Sequence, residues 1–430
     1  MKRSLETTIA ELTPGGDGVA IEEIDGERRA IFVPGVVAGE RVRVEADFSR
    51  RPARGRLLSV IEPSRERVTP ECPHCAECGG CDWMHLSLDE QTRAHAAIVS
   101  GILPPAFRDV KVVAHRAESA RAYRTRARVH VEAHPRKQRV LVGMFERGSH
   151  DPVPVDACLV LDPALDRARG LLASWLEGAK GRGEAQLALG DARKAVVDLR
   201  WNGDLPAAVF GRFERAVTEG VLAGARLFAG DVRLPARIGD PTPSIRGADD
   251  EPLRLAPGGF SQATERGNAT LAKRVVDLAG AIAPSANALE LFAGAGNLTV
   301  LLARTHAVTA VEIAKDACEA ARANLAARDL SSKAKVVEAD ASTFAIPKDT
   351  KLVVLDPPRA GAKEVAKALA ARPVPAVVYV SCDPPTLGRD LATLAEAGYR
   401  LEAIETFEMF PHTSHVETIA ALVPPPRGKK

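Results

Sequence analysis

Short apolar runs alternate with longer amphipathic stretches from about residue 251 onward. Five of these runs, ALELFAG, VTAVEI, AKVVEAD, KLVVLD and PAVVYVS, are almost continuously apolar, as strands buried on both faces of a sheet are. The stretches between them, such as KDACEAARANLAARD, place their apolar residues with a helical period. Strands that alternate with helices predict an α/β domain built on a parallel sheet. Ligands bind to such sheets at the carboxyl ends of the strands.

The first sixty residues have a different pattern. Short segments of alternating apolar and polar residues are separated there by turn pairs such as Asp25-Gly26 and Pro34-Gly35. Strands of this length and spacing predict a five-stranded barrel of the kind that binds nucleic acid. The basic segment RRPARGR, residues 50–56, suits a phosphate backbone, although a solvated turn has the same composition.

A third pattern lies between these two regions, in the segment RAYRTRARVHVE. Its arginines alternate with small or β-branched residues, so Arg124, Arg126 and Arg128 would share one face of a strand. We call these three residues the arginine row. Because a guanidinium pairs with phosphate and stacks on bases, the row is a candidate RNA contact. An edge strand protected by charge would have the same pattern.

Composition adds limits rather than a function. The chain has 430 residues, 46% of them hydrophobic and 27% charged, which is typical of a globular protein with several domains. The net charge of +2 indicates no particular partner. The start, MKRSLETTIAELTPGG, lacks the apolar core of a secretory signal, and no membrane-spanning run follows. These features predict a cytoplasmic, reducing location and no membrane association.

The cysteines are concentrated in one loop. The chain has seven, and four fall at every third position of ECPHCAECGGCDW: Cys72, Cys75, Cys78 and Cys81. In a reducing compartment, clustered thiols indicate metal binding rather than disulfides. Consecutive C-x2-C spacings favour an iron–sulfur cluster whose last ligand is distant, while His74 keeps zinc as an alternative and a loop without metal as another. A distant ligand would have to be one of the three remaining cysteines: Cys158, Cys318 and Cys382.

The ends of the first three predicted strands carry candidate cofactor contacts. The first strand runs into LFAGAGNLT, where Gly294 and Gly296 let the backbone approach a ligand closely. The second ends in Glu312, where a carboxylate can accept hydrogen bonds from both ribose hydroxyls. The third ends in Asp340, which we expect at the adenine edge. Sheets that bind NAD and sheets that bind S-adenosylmethionine share this pattern.

The fourth and fifth strands distinguish the two. KLVVLDPPR places Asp356 before two prolines, a sequence typical of methyltransferases that hold a planar base against the methyl donor; a structural turn is the alternative. VSCDPPTL places Cys382 where the fifth strand leaves the sheet, a position suited to a nucleophile. Cys318, within the helical stretch KDACEAARANL, is predicted to be a core residue.

Taken in order, these motifs resemble those of the RNA uracil-C5 methyltransferases that carry an iron–sulfur cluster, the family that makes 5-methyluridine in 23S ribosomal RNA. The resemblance covers nearly the whole chain: the barrel segments GDGVA and IFVPGVVAGE, then CPHCAECGGC, LFAGAGNLT, LDPPR, YVSCDPPTL and FPHTSHVET. It implies an OB-like TRAM barrel at 1–62, a central α+β iron–sulfur domain at 63–250, and a Rossmann-like class I methyltransferase domain at 251–424.

The resemblance also implies an activity. The chain would transfer a methyl group from S-adenosylmethionine to C5 of a uridine, through a covalent bond between Cys382 and C6 of the base. Glu417, in HTSHVE, matches the base that then removes the C5 proton. The partner would be 23S ribosomal RNA, and we expect a monomer. The positions expected to bind the cofactor are Gln262, Phe292, Gly294, Gly296, Asn297, Glu312, Asp340 and Asp356.

The family's ligands for a [4Fe-4S] cluster correspond to four cysteines: Cys72, Cys78, Cys81 and Cys158. Cys75 is then not a ligand; the competing prediction is a complete local site formed by the four cysteines of the loop. Two further positions depart from the family. Thr264 and Asp383 stand where asparagine is usual, which puts the hydrogen bonding of the base pocket in question.

Three other functions remain as alternatives. A tRNA 5-methyluridine methyltransferase would share the reaction, but the tRNA branch lacks the cysteine cluster. RNA 5-methylcytosine methyltransferases place a cysteine after the proline of the fourth-strand motif, and LDPPR has none. A non-catalytic RNA-binding or folding factor would keep the sheet without the chemistry, and would have no need of both Cys382 and Glu417.

Overall fold

The computed structural model describes residues 2–134, 139–149, 151–230 and 233–425. The first of three large sheets lies at the N-terminus, with strands β1 (Lys2–Thr8), β2 (Glu11–Leu12), β3 (Gly18–Ile24), β4 (Glu27–Val33), β5 (Arg41–Asp47) and β6 (Ala53–Glu62). Their order is β1-β5-β6-β4-β3-β2, and alternate strand residues form a small apolar core. Asp25 and Gly26 join β3 to β4 with φ of 53° and 81°, as a tight hairpin turn requires. The five predicted strands are present, and the two-residue β2 is an addition.

The second sheet lies in the middle of the chain. Its strands are β8 (Arg126–His134), β9 (Arg139–Phe145), β10 (Pro152–Pro154), β11 (Lys180–Leu189), β12 (Ala195–Asp204), β13 (Leu222–Ala229) and β14 (Ala236–Gly239), and its helices are α2 (Pro163–Trp175) and α3 (Ala207–Thr218). The order is β10-β9-β8-β11-β12-β13-β14. Both helices cover one face, where Ala127, Val129 and Val131 are buried with Leu172 and Phe213. The predicted alternation along β8 is therefore confirmed.

The third sheet is the α/β domain that the apolar runs predict. Its elements are β17 (Asn287–Leu291), α5 (Thr299–Leu302), β18 (Ala307–Glu312), α6 (Lys315–Ala326), β19 (Ala334–Glu338), β20 (Leu352–Leu355), α7 (Lys363–Ala371), β21 (Ala376–Ser381), α8 (Pro384–Glu396), β22 (Arg400–Phe407) and β23 (Glu417–Val423). It is preceded by the small hairpin β15 (Ser244–Arg246) and β16 (Pro252–Arg254) and by helix α4 (Glu265–Ile282).

The strand order of the third sheet is β19-β18-β17-β20-β21-β23-β22-β7, in which β7 is the strand Val112–His115. The five predicted strands are adjacent and parallel, and β23 alone runs antiparallel to its neighbours β21 and β22. The chain proceeds from β17 to β18 and β19 on one side and then returns to β20 and β21 on the other side, so β17 is the point where the strand order reverses. A ligand crevice is expected above the carboxyl ends of these strands.

One part of the predicted central segment 63–250 belongs to the third sheet. Helix α1 (Leu88–Gly101) leads into β7 (Val112–His115), which pairs parallel with β22. Val99 and Phe107 are buried in the same apolar core as the strands of the third sheet. Residues 88–115, which the sequence assigned to the central domain, therefore pack with the third sheet in the structure. Among the described helices, none combines the length and the apolar character that crossing a membrane requires.

Candidate active site

A cleft of about 1410 Å³ lies at the carboxyl ends of β17, β18 and β20 and extends over the central sheet. Most of the predicted site residues line it: Gln262, Phe292, Gly294, Asn297, Glu312, Asp356, Cys382 and Glu417. Of the predicted catalytic and cofactor positions, two do not line it, Gly296 and Asp340. The predicted residues that line the cleft lie up to 155 positions apart in the sequence, from Gln262 to Glu417.

The glycine-rich turn after β17 forms the floor of the cofactor side. Gly294 has φ of 55°, and its backbone N–H donates to Glu312 Oε2 at 2.9 Å. Glu312 Oε1 accepts a second hydrogen bond from the N–H of Ala314 at 2.8 Å. Gly296 has φ of 84°, and a Cβ added there would lie 3.3 Å from Ala321 Cβ in helix α6. Its lack of a side chain therefore permits close packing of the turn on α6. The expected contact of Gly296 with the cofactor stays a prediction.

Asp340 lies outside this floor. Its side chain is exposed, and Oδ1 accepts hydrogen bonds from the backbone N–H and the hydroxyl of Ser342. The carboxylate thus stabilises the turn after β19. The expected contact of Asp340 with adenine stays a prediction.

A group of buried acids surrounds the predicted nucleophile. Burial, together with the neighbouring carboxylates of Glu417 and Asp356, raises the pKa of the Cys382 thiol to about 12. Burial also raises the pKa of Glu417 to about 8 and that of Asp356 to about 7. Gln262 donates a hydrogen bond to Asp356 and opposes that rise. Since like charges at short range disfavour ionisation, the group does not carry all of its negative charges at neutral pH.

Arg359 is the positive charge that opposes this group. It lowers the pKa of both Cys382 and Glu417. One guanidinium nitrogen, Nη2, lies 3.2 Å from His415 Nε2, so Arg359 links the turn after β20 to the loop before β23. Both elements contribute to the cleft wall.

Glu290 is a site residue that sequence reasoning missed. It lies on β17, is 2% exposed, and has an Oε2 without a hydrogen-bond partner. It lines the cleft, and burial raises its pKa to about 8. The available signal was a single acid inside the apolar run ALEL. An acid buried in a strand is costly unless its charge is neutralised or it serves a ligand.

The loop before Glu417 is hydrogen-bonded to residues that follow the cysteine loop, outside the third sheet. Asp82 Oδ1 accepts a hydrogen bond from the N–H of Ser414 at 2.9 Å. The next residue, Trp83, donates its backbone N–H to the carbonyl of His412 and its indole N–H to that of Gly16. The residues directly after the cysteine loop therefore connect the N-terminal barrel to the strand that carries Glu417.

The cysteine loop surrounds a small apolar cavity of about 40 Å³. Five thiols line it: Cys72, Cys75, Cys78, Cys81 and Cys158. Burial, together with the neighbouring Cys158 and Cys78, raises the pKa of Cys81 to about 12. Cys158, the distant position predicted from the sequence, therefore lies next to the cysteine loop. As placed, no group of three or more Cys, His, Asp or Glu side chains in the described ranges forms a ready site for a metal ion.

Buried Arg169 supports the segment that brings Cys158 to the cavity. Its guanidinium donates to the carbonyls of Val155 and Asp156 and to the carboxylate of Asp166. Asp166 in turn accepts the N–H of Cys158 at 3.1 Å. Cys318 lies far from this cavity in sequence and is fully buried on α6, with its thiol 3.3 Å from the carbonyl of Glu312. The prediction that it is a core residue is confirmed.

The arginine row divides at the cleft. Arg124 and Arg126 line it, whereas Arg128 is exposed and forms an ion pair with Glu184 at 2.9 Å. The guanidinium of Arg126 lies 5.5 Å from the ring centroid of Phe260, which is 72% exposed. A cation and an exposed aromatic ring are thereby presented together at the cleft.

Charge is segregated within the cleft. The arm over the central sheet carries five cations and one acid: Arg124, Arg126, Arg147, Arg200, Arg226 and Glu146. The arm at the glycine-rich turn carries four acids and one cation: Glu290, Glu312, Asp316, Asp356 and Lys315. The basic arm suits a polyanion, and the acidic arm suits a ligand with positive charge and hydroxyl groups. The acids next to Cys382 lie where the two arms meet.

The two positions that depart from the family cap helices. Thr264 is the N-cap of α4 and accepts a hydrogen bond from the N–H of Gly267, and Asp383 is the N-cap of α8 and accepts from the N–H of Thr386. Threonine and aspartate both serve in this role. Their side chains are therefore explained by helix capping.

Comparisons with known proteins agree with this geometry. Residues 253–376 match the family model "Methyltransferase small domain", and residues 347–423 match "tRNA (Uracil-5-)-methyltransferase". The fold is similar to that of the Pyrococcus abyssi tRNA (uracil-54, C5)-methyltransferase, solved in complex with S-adenosyl-L-homocysteine. The TM-score is 0.74 at 23% identity, over 97% of this chain and 99% of that one. The fold and the site define a class I, S-adenosylmethionine-dependent methyltransferase.

Curated relatives narrow the class. The Alkalilimnicola ehrlichii protein named 23S rRNA (uracil(1939)-C(5))-methyltransferase RlmD is 34% identical, over 97% of this chain and 96% of its own length. The Vibrio cholerae protein of the same name is 31% identical, over 97% of this chain and 95% of its own length. The chain belongs to the family of 23S rRNA (uracil-C5)-methyltransferases. It is an S-adenosylmethionine-dependent RNA uracil-C5 methyltransferase.

Proposed function

We propose that this enzyme methylates C5 of a uridine in 23S ribosomal RNA through a covalent adduct with Cys382. The observation that carries the proposal is the position of Cys382, beside buried Asp356 and Glu417, where the basic and acidic arms of the cleft meet. The names of the curated relatives support 23S ribosomal RNA, and uracil 1939 in particular, as the substrate. A cytoplasmic monomer, as expected from the sequence, completes the proposal.

The acidic arm is the proposed site of the methyl donor. Glu312 lies at the end of β18, where it can accept hydrogen bonds from ribose hydroxyls. The unpartnered Oε2 of Glu290 is available to the cationic part of the ligand. Phe292, Gly294 and Asn297 complete the lining near the turn. When bound, S-adenosylmethionine supplies an electrophilic methyl group.

Cys382 is the proposed nucleophile because C5 of uracil reacts poorly until a group adds to C6. Its Sγ would bond to C6 as the C5–C6 π electrons move to O4, which gives an enolate, and C5 then takes the methyl group. The thiol must lose its proton first. With a pKa of about 12, only about one thiol in 10⁵ is ionised at pH 7. Arg359 opposes this cost by favouring the thiolate.

Asp356 is the proposed contact for the base. Its pKa of about 7 lets it present either a protonated or an ionised carboxyl near neutral pH. Gln262, hydrogen-bonded to Asp356, orients it within the pocket. A planar base held by this pair would lie beside Cys382, since all three side chains line the same cleft.

Glu417 is the proposed base for the last step. After methylation, C5 carries both a methyl group and a proton, and that proton must leave before the C6–S bond can break. The unpartnered Oε2 of Glu417 is available to accept it. The electrons of the C5–H bond then restore the C5–C6 double bond and expel the thiolate of Cys382.

We also propose a [4Fe-4S] cluster bound by four cysteines: Cys72, Cys78, Cys81 and Cys158. The cavity supports the fit, because the four thiols line one apolar space and the N–H of Gly80 points to the Sγ of Cys78 at 3.4 Å. Cys75 also lines the cavity, so the local four-cysteine set remains the competing ligand set. The role proposed for the cluster is to brace the loop that ends in Asp82 and Trp83, and the reaction requires no redox step.

Incubation with tritiated methyl donor tests the function. Wild-type enzyme should label the uracil of a 23S ribosomal RNA transcript, and 5-methyluridine should be found at one position by nucleoside mapping. A tRNA transcript should remain unlabelled, and Cys382→Ala should label neither. Label in tRNA alone would identify the tRNA enzyme, and label in no RNA would favour a non-catalytic RNA-binding factor.

A further inference from the structure

The central sheet has one face that its own helices do not cover. Helices α2 and α3 both pack against the opposite face, through Leu172 and Phe213. We call the other side the open face. Along β8, β11, β12 and β13 it carries side chains that alternate with the buried core positions, including Arg128, Glu184 and Arg200.

Two arginines on this face are held against an aromatic ring. Arg200 on β12 is opposite Phe228 on β13 in the strand register. The guanidinium carbon of Arg200 lies 4.4 Å from the ring centroid of Phe228, and that of Arg226 lies 5.3 Å from it. Arg226 is further fixed by an ion pair with Asp198 and a hydrogen bond to the carbonyl of Pro257 at 2.7 Å.

Arg200, unlike Arg226, has a guanidinium that is largely exposed to solvent. Its side chain is 65% exposed, and the nearest acid recorded for it, Asp198 Oδ1, is 3.9 Å away. A guanidinium held close to a ring keeps its other face for a second planar group. Nucleic-acid bases stack on aromatic side chains and on guanidinium planes in this way.

The open face is continuous with the active-site cleft. Arg200 and Arg226 line the same cleft as Cys382, in its basic arm. A uridine at Cys382 remains attached to neighbouring nucleotides, whose phosphates are attracted to that arm. We propose that the Arg200–Phe228 pair is a stacking site for a second base of the same RNA, outside the uridine that is methylated. This inference rests on the proposed function, because it takes the RNA strand to pass through the cleft.

Binding measurements on three variants test the stacking site. Arg200→Gln removes the charge and the plane, Arg200→Lys keeps the charge and removes the plane, and Phe228→Leu removes the ring beneath. Because stacking of one base contributes enough to change affinity roughly fivefold or more, each variant should raise the Kd for a 23S ribosomal RNA transcript by about that factor. The KM for RNA should rise with it, while kcat and the KM for S-adenosylmethionine stay within about twofold of wild type.

Arg215→Gln is the matched control, since Arg215 is an exposed arginine on α3, on the covered side of the sheet. It should leave the Kd unchanged, and thermal melts should show that all variants fold. A wild-type Kd in both Arg200→Lys and Phe228→Leu would overturn the proposal. A raised Kd in Arg200→Gln together with a wild-type Kd in Arg200→Lys would also overturn it, because charge alone would then account for the binding. Failure of the wild type to methylate a transcript that it binds would instead remove the proposed function, because the Kd comparison does not depend on turnover.

Discussion

Replacement of Glu417 with glutamine should separate methyl transfer from release of the product. Glutamine keeps the size of the side chain and loses its basicity. Glu417→Gln should therefore still form the bond between Cys382 and C6, and C5 should still receive the methyl group. The C5 proton would then have no acceptor, so the RNA should remain attached to the protein. Cys382→Ala should bind RNA and form no covalent species.

The size of the effect follows from the environment of Glu417. A positioned general base contributes about 10²- to 10⁴-fold, so decay of the methylated adduct should slow by about that factor. The pKa of Glu417, about 8, makes the wild-type step dependent on pH. Only about a tenth of the side chains are ionised at pH 7, and the rate of adduct decay should rise about tenfold per pH unit until it levels off near pH 8. The Gln variant should lack this rise.

A denaturing gel measures the trapped species directly. The enzyme is mixed with RNA and tritiated methyl donor, quenched in denaturant at successive times, and resolved from free protein. A slow protein–RNA band that carries the methyl label is expected to persist in Glu417→Gln and to be transient in wild type. Cys382→Ala should show no such band at any time.

Two results would refute this assignment. Turnover near that of wild type in Glu417→Gln, without a trapped band, would remove Glu417 from the role of base. A trapped band without methyl label would place the role of Glu417 before methyl transfer. In the first case His415 would be tested next, since it lines the cleft and burial lowers its pKa, which leaves a neutral imidazole able to accept a proton.

Three further predictions concern the metal, the RNA and the buried acids. Anaerobically purified protein should be brown with about four irons per chain, and Cys158→Ser should bleach it while Cys75→Ser should not; zinc without iron would exclude the cluster. Replacing the arginine row with glutamine should lower the log–log salt slope of RNA binding by about one per lost phosphate contact, most clearly for the two arginines in the cleft. Burial raises the pKa of Glu290 to about 8, so between its unfolded pKa and 8 the native state holds a proton that the unfolded state has lost, and stability falls as pH rises. Glu290→Gln should therefore remove about 2 kcal/mol of the change in unfolding free energy between pH 6 and pH 8, as measured by denaturant titration.

The sequence alone determined the elements whose signal is local. Apolar runs of strand length predicted β17, β18, β19, β20 and β21, because a strand buried on both faces needs apolar residues at every position. Period-two alternation identified the buried face of β8, with Val129 and Val131 inside. The carboxyl ends of parallel strands meet at one edge of a sheet, so the position of Cys382 and Asp356 in one cleft also followed from the pattern.

The tertiary structure decided what depends on distant contacts. The addition of β7 to the edge of the third sheet rests on pairing with β22, nearly 300 residues later, and no local period records such a partner. Glu290 was recognised only because it is buried in the cleft wall with one carboxylate oxygen, Oε2, lacking a hydrogen-bond partner, which is a property of packing and not of residue type. Only the fold showed that Gly296 packs on α6 and that Asp340 stabilises its own turn. Their expected contacts with the cofactor stay predictions.

The segregation of charge in the cleft is the clearest example of a feature that only the tertiary structure decided. The net charge of +2 gave no indication of a basic surface, because cations and acids are nearly equal in number along the chain. Folding brings arginines from several strands of the central sheet to one arm and acids from the ends of β17, β18 and β20 to the other. Local electrostatic potential depends on distances between charges, and only the fold determines those distances.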